Sequence, residues 1–384
     1  MGDDATAGSS GVPYAAGLID DLAGRIGPRR PGSEGERRAA EFICDELSQM
    51  GLYPRLEGFR GPSSFAWSQL AAPALSLVGL RKTSVLLGGV ESDMRLEPFS
   101  RLFSLRASQN VVAEIPAAGV AQRTLVLVSH LDSSRSGLLF HPRATSHLRA
   151  LTSVVSAAVA SRAVTPYLGR RIRRAADRAA GAILAAGIAL LFERELRGED
   201  VPGANDNASG VAVATAIARE LSRQPLESTR VIFLATGCEE SGTAGMRSFL
   251  ESHSGEWDGA LFLNLDGVGA PATLRYLPRE GVGRILDADR GLLGVCERVA
   301  RDRPDLGLEP AARLVGLTYD ATPVMARKGR AITLSAQDES IPNYHTPDDV
   351  PKALDLGVLA RALEVVRLVA AAIDRGDADD RLPR

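Results

Sequence analysis

The stretch Thr124-Leu125-Val126-Leu127-Val128-Ser129-His130-Leu131-Asp132 decides the fold class of this chain. Its first half is a short apolar run without polar alternation, which is typical of a strand buried on both faces of a parallel sheet. A polar His-x-Asp group follows at the carboxyl end of that run. Because open α/β sheets bind their ligands beyond the carboxyl ends of the strands, the same stretch also indicates where a site would lie.

Two further apolar runs end in the same way. Residues 230–236 are followed by Glu239 and Glu240, and residues 261–265 are followed by Asp266. Predicted helices alternate with these and other predicted strands, the helices being 13–26, 35–50, 208–223, 284–301 and 353–373 and the additional strands 110–115, 273–278 and 331–335. This alternation predicts an α/β fold, a three-layer α/β/α sandwich around a mixed, mostly parallel sheet. Residues 57–108 give no clear pattern.

The turn Asn205-Asp206-Asn207-Ala208-Ser209-Gly210 opens one of the predicted helices. An aspartate there is usually a plain helix cap. A role as a metal ligand is favoured for Asp206, because two histidines and further acidic residues also lie at predicted strand ends or in turns. They are His130, Asp132, Glu239, Glu240, Asp266 and His345. Imidazole and carboxylate ligands suit zinc and its neighbours, and no thiolate cluster accompanies them. The sequence therefore predicts a site for two metal ions.

The spacing of these residues suggests how they would share the chemistry. Adjacent Glu239 and Glu240 cannot face the same way in an extended chain, so one can bind metal while the other acts as general base. Asp132 stands two positions after His130 and can accept the other ring N–H of that histidine. A hydroxide bridging two ions would be a nucleophile near neutral pH.

Composition and charge limit the classes of protein to which this chain can belong. The 384 residues carry a net charge of −2, which implies no general affinity for nucleic acid, and three cysteines far apart, which indicate no disulfide framework. The first residues lack the plan of a signal peptide, so we expect a cytoplasmic location. No run reaches the roughly 18–20 apolar residues of a spanning helix. We expect a flexible N-terminus (1–12), one catalytic domain (13–375) and a tail (376–384).

These motifs resemble those of the M28 family of co-catalytic zinc peptidases, which includes bacterial aminopeptidases and the related glutaminyl cyclases. The resemblance rests on GPRRPGSE at 27–34, SHLDS at 129–133, PGANDNASG at 202–210, CEESG at 238–242, NLD at 264–266 and YHTPDD at 344–349. It implies the zinc-exopeptidase fold and two Zn²⁺ ions, for which Co²⁺ or Mn²⁺ could substitute. The M20 peptidases share the ligand order, but they carry a separate dimerisation domain where residues 267–344 here read as continuous α/β.

The resemblance also assigns roles to individual residues. It implies that His130, Asp206 and Asp266 hold one metal, and that Asp206 bridges to a second held with Glu240 and His345. Glu239 would be the general base and Asp132 would orient His130. Tyr319 and Asp320 resemble a family position near the substrate, and Tyr344 adjoins the ligand His345, so all three are candidate substrate-binding residues. The Asp206–Asn207 peptide bond would be cis.

We therefore expect a metal-dependent exopeptidase, most simply an aminopeptidase acting on short peptides. Two alternatives remain open at the level of sequence. The same site could support a glutaminyl cyclase-like or carboxypeptidase-type reaction, or the chain could be a non-catalytic membrane-associated or binding protein that kept the fold.

One segment departs from the family pattern. His130 and Asp206 are 76 positions apart, a gap that indicates an insertion at about 141–197. The insertion contains a basic stretch, Arg170 to Arg178, followed by fourteen uncharged residues, 179–192, which is short of the ~20 needed to span a bilayer. We predict a helical hairpin. It could cover the rim of the site, form a homo-oligomer interface or make peripheral membrane contact.

Overall fold

A computed structural model describes residues 4–103, 105–312 and 316–379 of the chain. Its centre is an eight-stranded mixed sheet in the order β1-β2-β4-β3-β5-β10-β6-β9, with a separate pair β7-β8. The strands are β1 Arg55–Pro62, β2 Leu105–Ile115, β3 Arg123–His130, β4 Thr229–Thr236, β5 Leu261–Leu265, β6 Leu274–Tyr276, β7 Arg279–Glu280, β8 Leu286–Asp287, β9 Glu309–Pro310 and β10 Arg330–Ala336.

Helices cover both faces of this sheet. The α-helices of the described residues are α1 Asp4–Ile19, α2 Glu34–Gln49, α3 Phe65–Leu77, α4 Arg81–Ser92, α5 Pro142–Thr145, α6 Leu148–Val164, α7 Arg170–Arg197, α8 Gly210–Arg223, α9 Ala244–Ser252, α10 Arg290–Asp302, α11 Ala321–Ala326 and α12 Leu356–Asp374. Helices α1, α2, α8 and α12 pack together on one face, and α9 and α11 pack on the other. The predicted three-layer α/β/α sandwich with a mixed sheet is confirmed.

The four central strands β4, β3, β5 and β10 run parallel. Leu127 of β3 lies between Phe233 of β4 and Leu263 of β5, and all three side chains are buried. These strands have no solvent face, which explains why their sequences are apolar runs without alternation. Parallel alignment brings their carboxyl ends to one edge of the sheet, so the polar groups that follow each strand gather there.

Residues 57–108, which gave no pattern, form β1, α3, α4 and the start of β2. Strand β1 lies at the edge of the sheet and contains Gly58, Gly61 and Pro62, residues that weaken a strand signal. Helix α1 begins at Asp4, within the segment 1–12 that was expected to be flexible, and residues 1–3 lie outside the described part.

The insertion packs against α3 and α4, the two helices that the sequence did not predict. Helices α6 and α7 form a hairpin that packs against the hairpin of α3 and α4, and we call these four helices the arm. The arm has a small hydrophobic cluster of its own, formed by Ala158, Val159, Ala180 and Leu184.

One expectation about the insertion is wrong. Helix α7 is 28 residues long because it continues without a break from the basic stretch into the apolar one. By length and composition it could cross a membrane, and 17% of its apolar window is buried inside the protein. Counting only the uncharged residues made the helix seem too short.

Arg29 ties three distant segments together. The residue is 1% exposed. Its guanidinium donates to the carbonyl oxygens of Leu22, Gly27, Leu131, Pro202 and Gly203 over 2.7–3.0 Å. Burial lowers the pKa of Arg29 to about 10, so it stays charged at neutral pH. Because Leu131 follows His130 and Gly203 precedes Asp206, this one side chain fixes both loops at the site edge.

Replacing Arg29 by Met should lower the free energy of unfolding by at least about 3 kcal/mol, because several buried carbonyl groups lose their donor. Urea denaturation monitored by circular dichroism measures the change. The matched control is Arg38→Met, since Arg38 is exposed on α2. A loss for Arg29→Met no larger than that of the control would contradict the assigned role.

Candidate metal centre

The first group of possible ligands joins two strand ends to the turn before α8. His130 is the last residue of β3, and Asp266 directly follows β5. The Nε2 atom of His130 lies 3.1 Å from Asp206 Oδ1 and 3.5 Å from Asp266 Oδ2. These three buried side chains could hold a metal ion.

The second group shares Asp206. The Nε2 atom of His345 lies 3.2 Å from Asp206 Oδ2 and 3.0 Å from Glu240 Oε2. Asp206, Glu240 and His345 are all buried and could hold a second ion. Each oxygen of the Asp206 carboxylate therefore faces a different histidine, which is the arrangement of a bridging ligand.

The electrostatics of both groups fit bound cations. Burial raises the pKa of Glu240 and of Asp266 above the ordinary values. Burial also opposes ionisation of Asp206, but hydrogen bonds from His130 and His345 hold its pKa well below the usual range. Glu240 Oε1 has no hydrogen-bond partner in the described part of the chain. Carboxylates gathered away from water need positive charge, and divalent ions would supply it.

The turn that carries Asp206 is held from both sides. Asp349 accepts from the backbone N–H groups of Asn205 at 2.7 Å and of Asp206 at 3.1 Å. Asn207 donates to the carbonyl of Leu265 at 2.8 Å, which joins the turn to the end of β5. The Asp206–Asn207 peptide bond is cis, as the resemblance implies.

Asp132 organises the turn that carries the two glutamates. Its Oδ1 accepts from the backbone N–H of Glu239 at 3.0 Å, and its Oδ2 accepts from that of Glu240 at 2.9 Å. His130 Nδ1 lies 3.0 Å from the backbone carbonyl of Asp132 and 3.6 Å from its Oδ1. The residue thus orients His130 mainly through its main chain, while its carboxylate holds Glu239 and Glu240.

Glu239, the predicted general base, is buried beside this cluster. Burial raises its pKa well above the ordinary value, and the nearby charge of His130 acts in the opposite direction. The three predicted substrate-binding residues lie around this cluster. Tyr319 is 4% exposed, Asp320 is fully buried and accepts from the Thr236 hydroxyl, and the ring of Tyr344 stacks on His345 with centroids 3.7 Å apart.

Several supporting residues were not singled out from the sequence. Asp349 and Arg29 stand inside motifs that were quoted, but nothing in their spacing indicated contacts to distant backbone. Glu36 accepts from the backbone N–H of Cys238 at 2.8 Å, from 202 positions away in sequence. Phe140, just before the insertion, packs against His345 with ring centroids 4.3 Å apart. Such contacts become visible only once the strands are aligned.

Comparison with known proteins identifies the family to which this chain is similar. The profile described as Peptidase family M28 matches residues 110–370, more than half of the chain. A curated protein described as "Probable lipoprotein aminopeptidase LpqL", from Mycobacterium tuberculosis, is 42% identical over 74 residues. That match covers 18% of this chain and 14% of the relative, so the chain matches only a small part of that protein's length.

Solved structures share the fold over nearly the whole chain. The zinc aminopeptidase BSAP from Bacillus subtilis superposes with a TM-score of 0.59 at 16% identity, covering 94% of this chain and 95% of its own. A glutaminyl cyclase from an Acidobacteriales bacterium superposes with a TM-score of 0.58 at 13% identity, covering 95% of each chain. At these identities the similarity establishes the fold.

Replacing Asp132 by Asn should lower the free energy of unfolding of the metal-free protein by about 1–3 kcal/mol. The amide keeps one acceptor, so one of the buried N–H groups of Glu239 and Glu240 then faces a donor. Urea denaturation in the presence of a chelator measures the loss. Asp258→Asn, at an exposed position, is the control. Equal stability of the two variants would show that the Asp132 carboxylate does not hold this turn.

Proposed function

The chain belongs to peptidase family M28, and we propose that it is a two-zinc aminopeptidase that hydrolyses short peptides. The observation that carries this proposal is the position of the Asp206 carboxylate, whose oxygens face His130 and His345 at 3.1 and 3.2 Å. A single carboxylate between two imidazoles, each with a further carboxylate, supports a pair of ions sharing one bridging ligand.

His130, Asp206 and Asp266 would hold one ion, and Asp206, Glu240 and His345 the other. The set contains nitrogen and oxygen donors and no thiolate, which suits Zn²⁺ and also admits Co²⁺ or Mn²⁺. When bound, two such ions supply Lewis acidity toward a scissile carbonyl and make water acidic enough to attack it near neutral pH. Asp349 and Asn207 keep the bridging carboxylate in position between the two groups.

Glu239 would be the general base. It adjoins Glu240 but is not part of either ligand group, and its backbone is fixed by Asp132. A carboxylate with a raised pKa is suited to take the proton of the attacking water and to pass it to the leaving amine. The neighbouring Glu240 is left free to serve as a ligand.

The surrounding charges favour recognition of a free amine over a free carboxylate. A carboxypeptidase needs an available cation near its site. Among the residues that the structure describes, Arg29 and Arg194 are buried arginines whose charges interact with Glu240, and both are engaged elsewhere. Arg29 binds backbone carbonyls, and Arg194 binds Glu195, Ser64 and Ser134.

We place the enzyme in a reducing cytoplasm, a proposal that its three unpaired cysteines support.

Purified protein equilibrated with zinc should hold two ions per chain. His130→Ala and His345→Ala should each lower the content by about one ion, because each removes a ligand of one group only. Asp206→Ala should remove both, since it belongs to both groups. Equilibrium dialysis followed by elemental analysis measures the content. His253→Ala is the control, because His253 binds Glu57 and Glu256 away from this site. One ion per chain in the parent protein would contradict the two-ion centre.

The activity itself is tested with aminoacyl chromogenic substrates and their N-acetyl counterparts. We expect metal-dependent hydrolysis of the free-amine forms only. Glu239→Gln should lower kcat by about 10²-fold or more while zinc content stays unchanged, because proton transfer is lost and the ligands remain. Glu227→Gln, at an exposed position, should behave as the parent.

Three results would contradict parts of this proposal. Hydrolysis of the N-acetyl substrates would exclude a requirement for the amine. Cyclisation of peptides with N-terminal glutamine in place of hydrolysis would assign the related reaction. Activity of Glu239→Gln above about a tenth of the parent would remove Glu239 as the base.

A further inference from the structure

We propose that the tip of the arm binds the surface of a membrane that contains anionic phospholipids. The tip consists of residues 78–82, which form the turn after α3 and the start of α4, and residues 164–174, which run from the end of α6 into the first turns of α7. It lies outside the candidate metal centre, and the inference does not depend on the proposed peptidase activity.

The two turns form one surface. The Arg81 guanidinium donates to the carbonyl of Arg162 at 3.1 Å and to the hydroxyl of Thr165 at 2.7 Å. The Lys82 ammonium lies 5.8 Å from the centre of the Tyr167 ring. These contacts hold the α3–α4 turn against the α6–α7 turn, so that the exposed residues of both belong to the same end of the arm.

This surface exposes large apolar side chains. The exposed fractions are 75% for Val78, 51% for Leu80, 55% for Val164, 72% for Tyr167 and 65% for Ile172. Single exposed apolar residues are ordinary, but a group of them on two adjoining turns marks a surface that contacts something other than water. A tyrosine among aliphatic residues is suited to the boundary between headgroups and acyl chains.

Positive charge accompanies these residues. Five arginines of the first turns of α7 are exposed, and none forms an ion pair with any described residue: Arg170, Arg171, Arg173, Arg174 and Arg178. The one acidic residue in this stretch of α7, Asp177, forms an ion pair with Arg81 at 3.0 Å. The chain as a whole has a net charge of −2, so this concentration of positive charge is local. Each basic residue near an anionic membrane contributes about 1 kcal/mol of attraction.

Apolar and basic residues together favour a lipid surface over other occupants. Nucleic acid would use the arginines but would leave the aliphatic side chains in water. A second copy docked symmetrically would bring the two sets of arginines together, and their repulsion opposes that contact. Anionic lipid satisfies both features, because headgroups bind the arginines while the acyl region accepts the apolar side chains.

Side-chain hydrogen bonds hold helix α7 to the protein near both of its ends, which argues for contact with the membrane surface by its tip rather than for spanning. Arg162 donates to the backbone carbonyl of Asp177 at 3.0 Å near the tip. At the other end Arg194 donates to Ser64 and Ser134 over 3.1–3.2 Å. Arg170 and Arg194 are 24 positions apart on this helix, which corresponds to roughly 36 Å. A bound tip would therefore hold the metal centre well away from the bilayer.

Co-sedimentation of the full chain with vesicles tests this proposal. We expect binding to vesicles of phosphatidylcholine mixed with phosphatidylglycerol, no binding to phosphatidylcholine alone, and weaker binding as salt concentration rises. The double variant Arg170→Gln/Arg171→Gln should bind at least about tenfold more weakly, because two attractive charges are lost. Tyr167→Ser/Ile172→Ser should also bind more weakly.

The controls change similar residues elsewhere. Val120→Ser replaces an 84% exposed valine between β2 and β3, and Arg301→Gln replaces a 69% exposed arginine on α10. Both should bind as the parent does, and circular dichroism should show all four variants folded. The proposal is overturned if the parent does not bind anionic vesicles or if the tip variants bind as well as the controls. Resistance of bound protein to carbonate extraction, or a dimer in light scattering that the tip variants dissociate, would also overturn it.

Discussion

The Asp206 carboxylate between two buried imidazoles is the interaction on which the rest of this structure depends. Its oxygens lie 3.1 Å from His130 Nε2 and 3.2 Å from His345 Nε2. A buried carboxylate stays ionised only if hydrogen bonds fix its position and nearby positive charge compensates its own. Its backbone N–H is bound by Asp349, its neighbour Asn207 is bound to the end of β5, and Arg29 holds the loop before it. The fold supplies the position, and bound cations would supply the compensation.

The supporting residues work through the main chain. Arg29 donates to carbonyl groups, while Asp132, Asp349 and Glu36 accept from backbone N–H groups. Each joins a loop at the carboxyl edge of the sheet to a segment that is remote in sequence. Loops that carry ligands cannot rely on a strand ladder, so buried charged side chains provide the missing hydrogen bonds. This division leaves the side chains of the cluster itself free for metal and substrate.

Sequence reasoning predicted the parts that have a local signal. Strands β3, β4 and β5 were found because burial on both faces makes them apolar runs, and the polar residues after them then indicated the site. Strand β1, helices α3 and α4 and the contacts of Arg29 and Asp349 were missed, because edge position and long-range hydrogen bonds leave no period or spacing in the sequence. The length of helix α7 was underestimated because only the uncharged residues were counted, whereas the helix also includes the basic stretch before them.

A metal centre that shares one carboxylate has a direct crystallographic test. Diffraction data from zinc-loaded crystals, collected on either side of the zinc absorption edge, would show each ion as an anomalous peak. We predict two peaks about 3.5–4 Å apart, one beside His130 and one beside His345, with Asp206 between them. One peak only, or two peaks that do not share Asp206, would contradict the central role given to that residue.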